Sequence, residues 1–230
     1  MSAFFVTGIG TEVGKTFVTA GLVRQLRARG REVQALKPVV SGFDPAAPTE
    51  SDPGLLLAAL DRPIIPVEIE RIAPWRFAAP LSPDMAATRE GRAIDFAALI
   101  EFSRSQIVQT PGTLLIEGAG GIMAPLDRQY TMLDWMSALR LPLVVVAGSY
   151  LGSISHTLTC LDVLQRRDLQ VAALMVSESE RSTVPFDENV SSIARFADPL
   201  TVIGLPRVGR DADAQPVFAQ LADLLTSATA

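Results

Sequence analysis

The sequence contains almost none of the residues used in thiol, imidazole or zinc chemistry. Cys160 is its single cysteine and His156 its single histidine. No disulfide can therefore form within one chain, and no cluster of Cys and His ligands can hold a metal ion. A Ser-His-Asp or Cys-His hydrolase would have to be built on His156. We interpret both residues as structural parts of one helix.

Positive charge and long apolar runs are also scarce. The formal net charge is -5 and the pI is near 5.0, whereas nucleic-acid binding needs clustered Lys and Arg. The short stripe of Arg24, Arg27, Arg29 and Arg31 predicts an exposed helix face. The longest apolar run, residues 141–148, is far shorter than the roughly 20 residues of a membrane span, and the N-terminus lacks the basic region of a signal peptide. These absences predict a soluble cytoplasmic protein with no nucleic-acid or membrane partner.

The apolar content is that of a packed globular protein, with 48% hydrophobic residues in a chain of 230. Short apolar runs typical of buried strands alternate with segments of helical spacing. This alternation predicts an α/β fold, in which right-handed βαβ units form a mostly parallel central sheet with helices on both faces. No repeat or linker divides the sequence, so we expect a single domain over residues 1–230.

Glycine, proline and capping residues set the expected boundaries of these elements. Gly30 is expected to end the first helix, and Asp95 to cap a later one. The predicted strands cover residues 3–7, 33–37, 114–117, 143–147, 171–176 and 200–203. The predicted helices cover residues 15–29, 53–60, 96–107, 131–140, 153–166, 187–196 and 217–225. Residues 39–53 are predicted to be largely loop, and residues 63–83 have no clear pattern.

A phosphate-binding loop lies between the first strand and the first helix, in the run Gly8-Ile9-Gly10-Thr11-Glu12-Val13-Gly14-Lys15-Thr16. Backbone N–H groups of such a loop surround phosphate oxygens, and the helix N-terminus adds partial positive charge. The lysine reaches the β- and γ-phosphates, and the threonine hydroxyl binds Mg²⁺. The loop is one residue longer than the usual pattern. It predicts a P-loop NTPase-like domain, which GTPases, kinases, ATPase switches and ligases share.

Three charged residues are expected at the same end of the sheet as the P-loop. Lys37 ends the second strand, Glu117 ends the 114–117 strand, and Asp52 lies in the loop after Ser41. With Thr16, the two carboxylates would complete the shell of a Mg²⁺ ion that is bound to nucleotide. Two other interpretations remain open from spacing alone. Asp52 is also a good N-cap ahead of Pro53, and Lys37 could be a strand-end lysine in solvent.

The order and spacing of these motifs resemble the dethiobiotin synthetase family, within the P-loop NTPase superfamily. The longer P-loop is itself a feature of that family. The resemblance covers roughly the first 165 residues well and the remainder in outline. The motifs that carry it are Thr11–Thr16, Lys37–Gly42, Ser51–Asp52, Ala79–Pro83, Glu117–Gly121 and the run from Leu151-Gly152 to His156.

The resemblance implies a ligase of biotin biosynthesis that works as a homodimer. It would join CO₂, supplied as bicarbonate, to 7,8-diaminononanoate with MgATP, through a carbamate and a carbamic-phosphoric anhydride. The reaction needs positioning and charge stabilisation rather than a covalent nucleophile or a catalytic histidine. Lys15 and Lys37 would be the catalytic residues, and Thr16, Asp52 and Glu117 the Mg²⁺ ligands.

The resemblance also implies three groups of binding residues. The nucleotide would contact Glu12, Val13, Gly14, Lys15, Thr16, Phe17, Asp52, Glu117, Gly118, Ala119, Gly120, Ser177, Glu178, Pro206, Arg207 and Val208. Thr11, Glu12 and Ser41 would hold the amine or carbamate end of the substrate. The second subunit would bind the substrate carboxylate at a helix start formed by Tyr150, Leu151, Gly152, Ser153 and Ser155.

The sequence departs from the family pattern at two of these places. Ser155 stands where many members have asparagine. Ser177-Glu178 replaces the Asn-Asp pair that often reads the adenine edge, so we expect weaker discrimination among nucleotide bases.

The main alternative is a deviant-Walker ATPase switch of the partitioning class, which would have no metabolic substrate. Such switches have an additional lysine at the position of Gly10, and this sequence lacks it. The Asn-Lys-x-Asp motif by which GTPases bind guanine is also missing.

Overall fold

The computed structural model describes residues 2–180, 182–207 and 215–227. Its strands are β1 (Ser2–Gly8), β2 (Val33–Leu36), β3 (Val39–Ser41), β4 (Trp75–Phe77), β5 (Thr113–Glu117), β6 (Leu143–Gly148), β7 (Val171–Ser177) and β8 (Val202–Leu205). Its helices are α1 (Lys15–Ala28), α2 (Asp52–Ala59), α3 (Pro66–Ile72), α4 (Pro83–Arg89), α5 (Phe96–Gln109), α6 (Met132–Leu139), α7 (Ser153–Arg166), α8 (Phe186–Ala197) and α9 (Gln215–Ser227). The alternation of strands and helices confirms the predicted α/β class.

The main sheet is parallel throughout and has β1 near its centre. The strand order is β2-β5-β1-β6-β7-β8, and Phe5 of β1 pairs with Ile116 on one side and Leu143 on the other. The central strands are nearly continuous apolar runs, as expected when both faces of a parallel sheet are covered. Because all strands of this sheet point the same way, the loops that follow them meet at one edge.

Neighbouring residues of β1 show that helices cover both faces of the sheet. Phe4 lines a small cavity together with Leu26 of α1 and Leu225 of α9. The ring of Phe5 meets Trp135 of α6 edge-on at a centroid distance of 4.8 Å. Because successive strand residues point to opposite faces, α1 and α9 cover one face and α6 covers the other. Within the described residues, no helix has the length and apolar character needed to cross a membrane.

Several predicted boundaries are confirmed, and others shift by one or two residues. Gly30 has a φ of 69° directly after α1, as a helix-ending glycine should. The side chain of Asp95 accepts a hydrogen bond from the Ala98 N–H at the start of α5. The last strand lies at Val202–Leu205 instead of residues 200–203. The Arg24–Arg31 stripe is exposed as predicted.

The prediction of loop for residues 39–53 is wrong in part, because β3 forms there and residues 48–50 make a 3₁₀ turn. β3 pairs with β4 in a small parallel sheet, and the Lys37 N–H donates to the Ile72 carbonyl oxygen at 3.0 Å. The unassigned residues 63–83 form α3, β4 and the approach to α4. Glycine and proline content reports local structure only, whereas this pairing is long-range.

Gly21 of α1 packs closely against Phe218 of α9. A Cβ atom at this position would lie 2.1 Å from Cζ of Phe218. Gly21→Ala is therefore expected to lower the free energy of unfolding by about 1–3 kcal/mol through overpacking. Chemical denaturation followed by circular dichroism measures this loss. In the double variant Gly21→Ala/Phe218→Leu the loss in free energy of unfolding should be smaller than the sum of the losses in the two single variants. Additive losses would show that the contact with Phe218 is not the cause.

Candidate active site

The loops after the parallel strands enclose a cavity of about 720 Å³. The P-loop follows β1, Lys37 follows β2, and Glu117 ends β5. The structure thus brings together residues that are far apart in the sequence, as the parallel sheet predicts. The predicted site residues that line the cavity are Thr11, Glu12, Gly14, Lys15, Thr16, Phe17, Lys37, Ser41, Asp52, Ala119 and Gly120. Val13 is buried behind them.

The P-loop curls around an open centre at the start of α1. Glu12 and Gly14 have φ values of 59° and 93°, and such left-handed residues let successive N–H groups converge on an anion. Lys15 is buried, and its Nζ donates to the Gly10 carbonyl oxygen at 2.6 Å. Burial, and then repulsion from Lys37, lower the pKa of Lys15 to about 8. The Lys15 amine is therefore buried in the P-loop and bound to a carbonyl group of that loop.

A cluster of charged groups at the cavity combines the buried Lys37 and Glu117 with the partly exposed Asp52. The Lys37 Nζ lies 2.6 Å from Glu117 Oε1 and 3.0 Å from Asp52 Oδ2, and it also donates to the Gly118 carbonyl oxygen at 3.0 Å. The Thr16 hydroxyl donates to the same Oε1 at 2.6 Å. Glu117 is fully buried and Lys37 is 4% exposed. Each charge in this cluster needs its partners, because an isolated buried charge is strongly unfavourable.

The cluster decides between the interpretations that spacing left open. The N-cap of α2 is Ser51, whose Oγ accepts from the Gly54 N–H, so Asp52 does not have that role. Lys37 is not a solvent-exposed lysine. Burial would lower the pKa of Lys37, but the charges of Glu117 and Asp52 reverse this and raise it. Burial likewise opposes ionisation of Asp52, yet the Lys37 charge lowers the pKa of Asp52.

The oxygen atoms of this cluster fit a magnesium ion. Thr16, Asp52 and Glu117 offer a hydroxyl and two carboxylates, and the second oxygen of Glu117 is buried without a hydrogen-bond partner. Among the described residues no group of three His, Cys, Asp or Glu could hold a metal. Two carboxylates suit an ion that takes its other ligands from nucleotide phosphates and water.

One wall of the cavity was not among the predicted site residues. It consists of Gly42, Pro80, Leu81, Ser82, Pro83, Gly121, Ala124 and Pro125. Ser41 lines the same cavity, and its buried Oγ has no partner. The motif Ala79–Pro83 in the sequence resemblance is the signal that could have identified this wall. Its apolar side chains and an orphaned hydroxyl suit an aliphatic chain that ends in an amine.

The predicted base-side residues lie next to the P-loop at the ends of β7 and β8. A Cβ atom on Gly14 would come within 3.0 Å of the Ser177 Oγ. Glu178 Oε2 accepts from the Arg207 N–H at 2.7 Å, so that carboxylate oxygen is already used within the chain. Pro206 precedes Arg207, and Val208 lies outside the described residues. Phe17 is half-exposed beside Phe218.

The predicted carboxylate site at the start of α7 does not line this cavity. Leu151, Gly152 and Ser155 are exposed. Ser153 is buried: its N–H donates to the Tyr150 carbonyl oxygen, and its Oγ accepts from Asn189 Nδ2 at 3.0 Å. Ser153 therefore supports the helix start and offers no free group to a ligand.

The two residues interpreted as structural differ in their environment. His156 is exposed in the first turns of α7, where its Nδ1 lies 2.9 Å from the Tyr150 hydroxyl. Cys160 is buried in the core, and burial raises the pKa of its thiol to about 12. Such a thiol stays protonated and unreactive, so the structural interpretation suits Cys160 better than His156.

Comparison with known proteins identifies the family of this chain. A family model described as an AAA domain matches residues 2–211. An ATP-dependent dethiobiotin synthetase of Methylobacterium nodulans is 49% identical over 202 residues, covering 86% of this chain and 90% of that protein. Its counterpart in Phenylobacterium zucineum is 45% identical over 224 residues, covering 96% of each. The chain belongs to the dethiobiotin synthetase family.

Two solved structures share the fold of this chain. The septum site-determining protein MinD of Pyrococcus horikoshii, complexed with Mg-ADP, has a TM-score of 0.59 at 16% identity and covers 99% of this chain and 97% of its own. The cell division ATPase MinD of Pyrococcus furiosus has a TM-score of 0.56 at 16% identity, with coverage of 99% and 100%. At such identities the likeness shows the fold alone, and the predicted P-loop NTPase-like fold is confirmed.

The lowered pKa of Lys15 has a measurable effect on the stability of the nucleotide-free protein. Between pH 8 and 10.5 the amine is neutral in the folded chain but still charged in the unfolded chain. The unfolded state then binds more protons, so wild-type stability should rise relative to Lys15→Met by roughly 1.4 kcal/mol per pH unit in that window. Urea denaturation of both proteins from pH 7 to 9.5 measures the difference. Parallel curves would show that the Lys15 pKa is not lowered.

Proposed function

We propose that this chain is the ATP-dependent ligase that converts 7,8-diaminononanoate and CO₂ into dethiobiotin in the cytoplasm. The observation that carries the proposal is the position of Lys37. This buried lysine lies between Glu117 and Asp52 in the cavity that also contains Lys15 and the P-loop. A carbamate and a transferring phosphoryl group both develop negative charge, and a preformed cation in a dry site stabilises them.

The chemistry needs no covalent bond to the protein. One substrate amine attacks CO₂ and loses a proton, which leaves a carbamate. A carbamate oxygen attacks the γ-phosphorus and ADP leaves, which gives a carbamic-phosphoric anhydride. The second amine attacks the carbonyl carbon, phosphate departs with the bridging oxygen, and the ureido ring closes. The protein contributes positioning and charge stabilisation.

The residues of the cavity divide these tasks. Lys15 would exchange the Gly10 carbonyl for the β- and γ-phosphates. Thr16, Asp52 and Glu117 would hold Mg²⁺, which neutralises phosphate charge when bound. Lys37 would stabilise the carbamate and the phosphoryl group during transfer.

The substrate would be held along the length of the cavity. Ser41, with the backbone of Thr11 and Glu12, would bind the amine end. Leu81 and Ala124 would contact the aliphatic chain. The substrate carboxylate would bind at the α7 start of a second subunit, through free N–H groups and the helix dipole. The exposed Leu151 and the separation of this helix start from the cavity within one chain support a homodimer.

Phosphate release tests the proposed function most simply. Release from ATP should depend on both bicarbonate and 7,8-diaminononanoate, and dethiobiotin should form in equal amount by mass spectrometry. ATP hydrolysis that proceeds without either substrate, and without any product, would favour the ATPase switch instead.

Lys37→Gln is expected to lower kcat by about 10²–10³ with a smaller change in the KM for ATP. The reason is that Lys37 acts on charge that develops in the transition state, and losses of that kind appear in kcat. Steady-state kinetics with Arg166→Gln, a surface variant on α7, provide the control. Normal turnover with a raised KM for ATP would make Lys37 a nucleotide ligand only.

A site shared between subunits predicts that two inactive variants restore activity when mixed. Lys15→Met disables the P-loop, and Gly152→Asp places a negative charge at the carboxylate site. Half of the dimers in an equal mixture contain one of each, and each mixed dimer has one intact site. About a quarter of wild-type activity is therefore expected. No recovery after subunit exchange, verified by native mass spectrometry, would indicate a site built within one chain.

Weak discrimination among nucleotide bases is expected from Ser177 and Glu178. Ser177 is too short to both donate and accept at an adenine edge, and one oxygen of Glu178 is engaged by Arg207. The preference for ATP over CTP should therefore stay below about a thousandfold in kcat/KM. Ser177→Asn/Glu178→Asp should raise it. A larger preference in the wild type would show that backbone contacts read adenine.

A further inference from the structure

Both lysines of the chain are engaged by protein groups. Lys15 and Lys37 are the only lysines in the sequence. Lys15 Nζ is bound to the Gly10 carbonyl oxygen, and Lys37 Nζ to Glu117, Asp52 and the Gly118 carbonyl oxygen. All three N–H donors of Lys37 are therefore engaged, whereas Lys15 uses one of its three.

Lys37 takes one oxygen atom of each carboxylate that a bound cation would need. Glu117 Oε1 receives both the Lys37 ammonium and the Thr16 hydroxyl at 2.6 Å, and Asp52 Oδ2 receives the ammonium at 3.0 Å. A magnesium ion binds such oxygens at about 2.0–2.1 Å. An ammonium and a divalent cation would repel each other strongly across so short a distance in a dry site. This repulsion favours one cation at a time in the cluster.

We propose that Lys37 is the resting counter-cation of the metal site, and that it leaves the carboxylates when metal and nucleotide bind together. The direction it then takes, toward the transferring phosphoryl group, rests on the proposed function. The phosphate oxygens supply the acceptors that Lys37 loses on leaving Glu117 and Asp52. Metal alone offers no such acceptors, so the exchange requires both.

The exchange keeps a cation beside the buried Glu117 carboxylate at every stage. Lys37 balances that charge before metal binds, and the metal ion balances it afterwards. The exchange also orders the reaction, because Lys37 becomes available to a carbamate only in a site loaded with metal and nucleotide. A carbamate bound earlier would meet a Lys37 whose N–H donors are all engaged.

Lysine-selective NMR tests the exchange in the wild-type protein, because a ¹³C,¹⁵N-lysine-labelled chain contains two labelled side chains. Lys15→Arg and Lys37→Arg assign the two Cε signals. ADP with EDTA is expected to shift Lys15 only, millimolar Mg²⁺ alone to shift neither, and Mg²⁺ with ADP to shift both. The proposal is overturned if Lys37 moves equally with ADP in EDTA, or stays in place with Mg²⁺ and ADP.

Metal affinity without nucleotide provides a second measurement. Lys37→Met removes the counter-cation and should bind Mn²⁺ at least tenfold more tightly than the wild type in isothermal titration calorimetry. Lys15→Met removes an equal charge that does not contact the carboxylates and should change affinity less than threefold. Lys37→Met/Glu117→Gln should lose the gain. Equal affinities for Lys37→Met and wild type would overturn the proposal, and the NMR result decides if Lys37→Met fails to fold.

Neither experiment contains diaminononanoate or bicarbonate. If the exchange of Lys37 is not observed, the proposed ligase activity is still tested separately by the phosphate-release assay. A chain without ligase activity could still show the exchange of Lys37.

Discussion

The complete burial of the Glu117 carboxylate is the constraint on which the rest of the site depends. A carboxylate at the end of a central strand has no water, so the fold must supply a cation and donors to it. Lys37 and Thr16 meet that need at 2.6 Å each, and Asp52 joins through Lys37. The carboxylate oxygens that bind the Lys37 ammonium are also of the kind that can bind a metal ion.

The parallel sheet makes this meeting possible. Lys37 and Glu117 are 80 residues apart in the chain, yet β2 and β5 are neighbours that end at the same edge. β1 lies on the other side of β5 and delivers the P-loop to that edge. The small β3–β4 sheet places Ser41 in the lining of the same cavity as residues 80–83. The strand ends position Lys37 and Glu117, while loops form the cavity walls.

The sequence predicts those parts of the site whose residues lie in short, recognisable motifs. The P-loop, Lys37 and Glu117 could be placed because each follows an apolar strand. The β3–β4 pairing could not, since its partners are distant and the local glycine and proline content suggests a loop. The sequence also leaves the role of Asp52 open, because Ser51 and Asp52 are both good N-cap residues. Sequence spacing also cannot reveal the hydrogen bonds that Ser153 accepts from Asn189 and Glu178 accepts from the Arg207 N–H.

The proposed function assigns the cluster around Glu117 and Lys37 to the phosphorylation of a carbamate. Oxygen transfer tests it most directly. In a single turnover with freshly mixed C¹⁸O₂, ATP and diaminononanoate, the released phosphate should gain one ¹⁸O atom, since the carbamate oxygen that attacks phosphorus leaves with it. Phosphate without label, or with oxygen derived from water, would contradict the account.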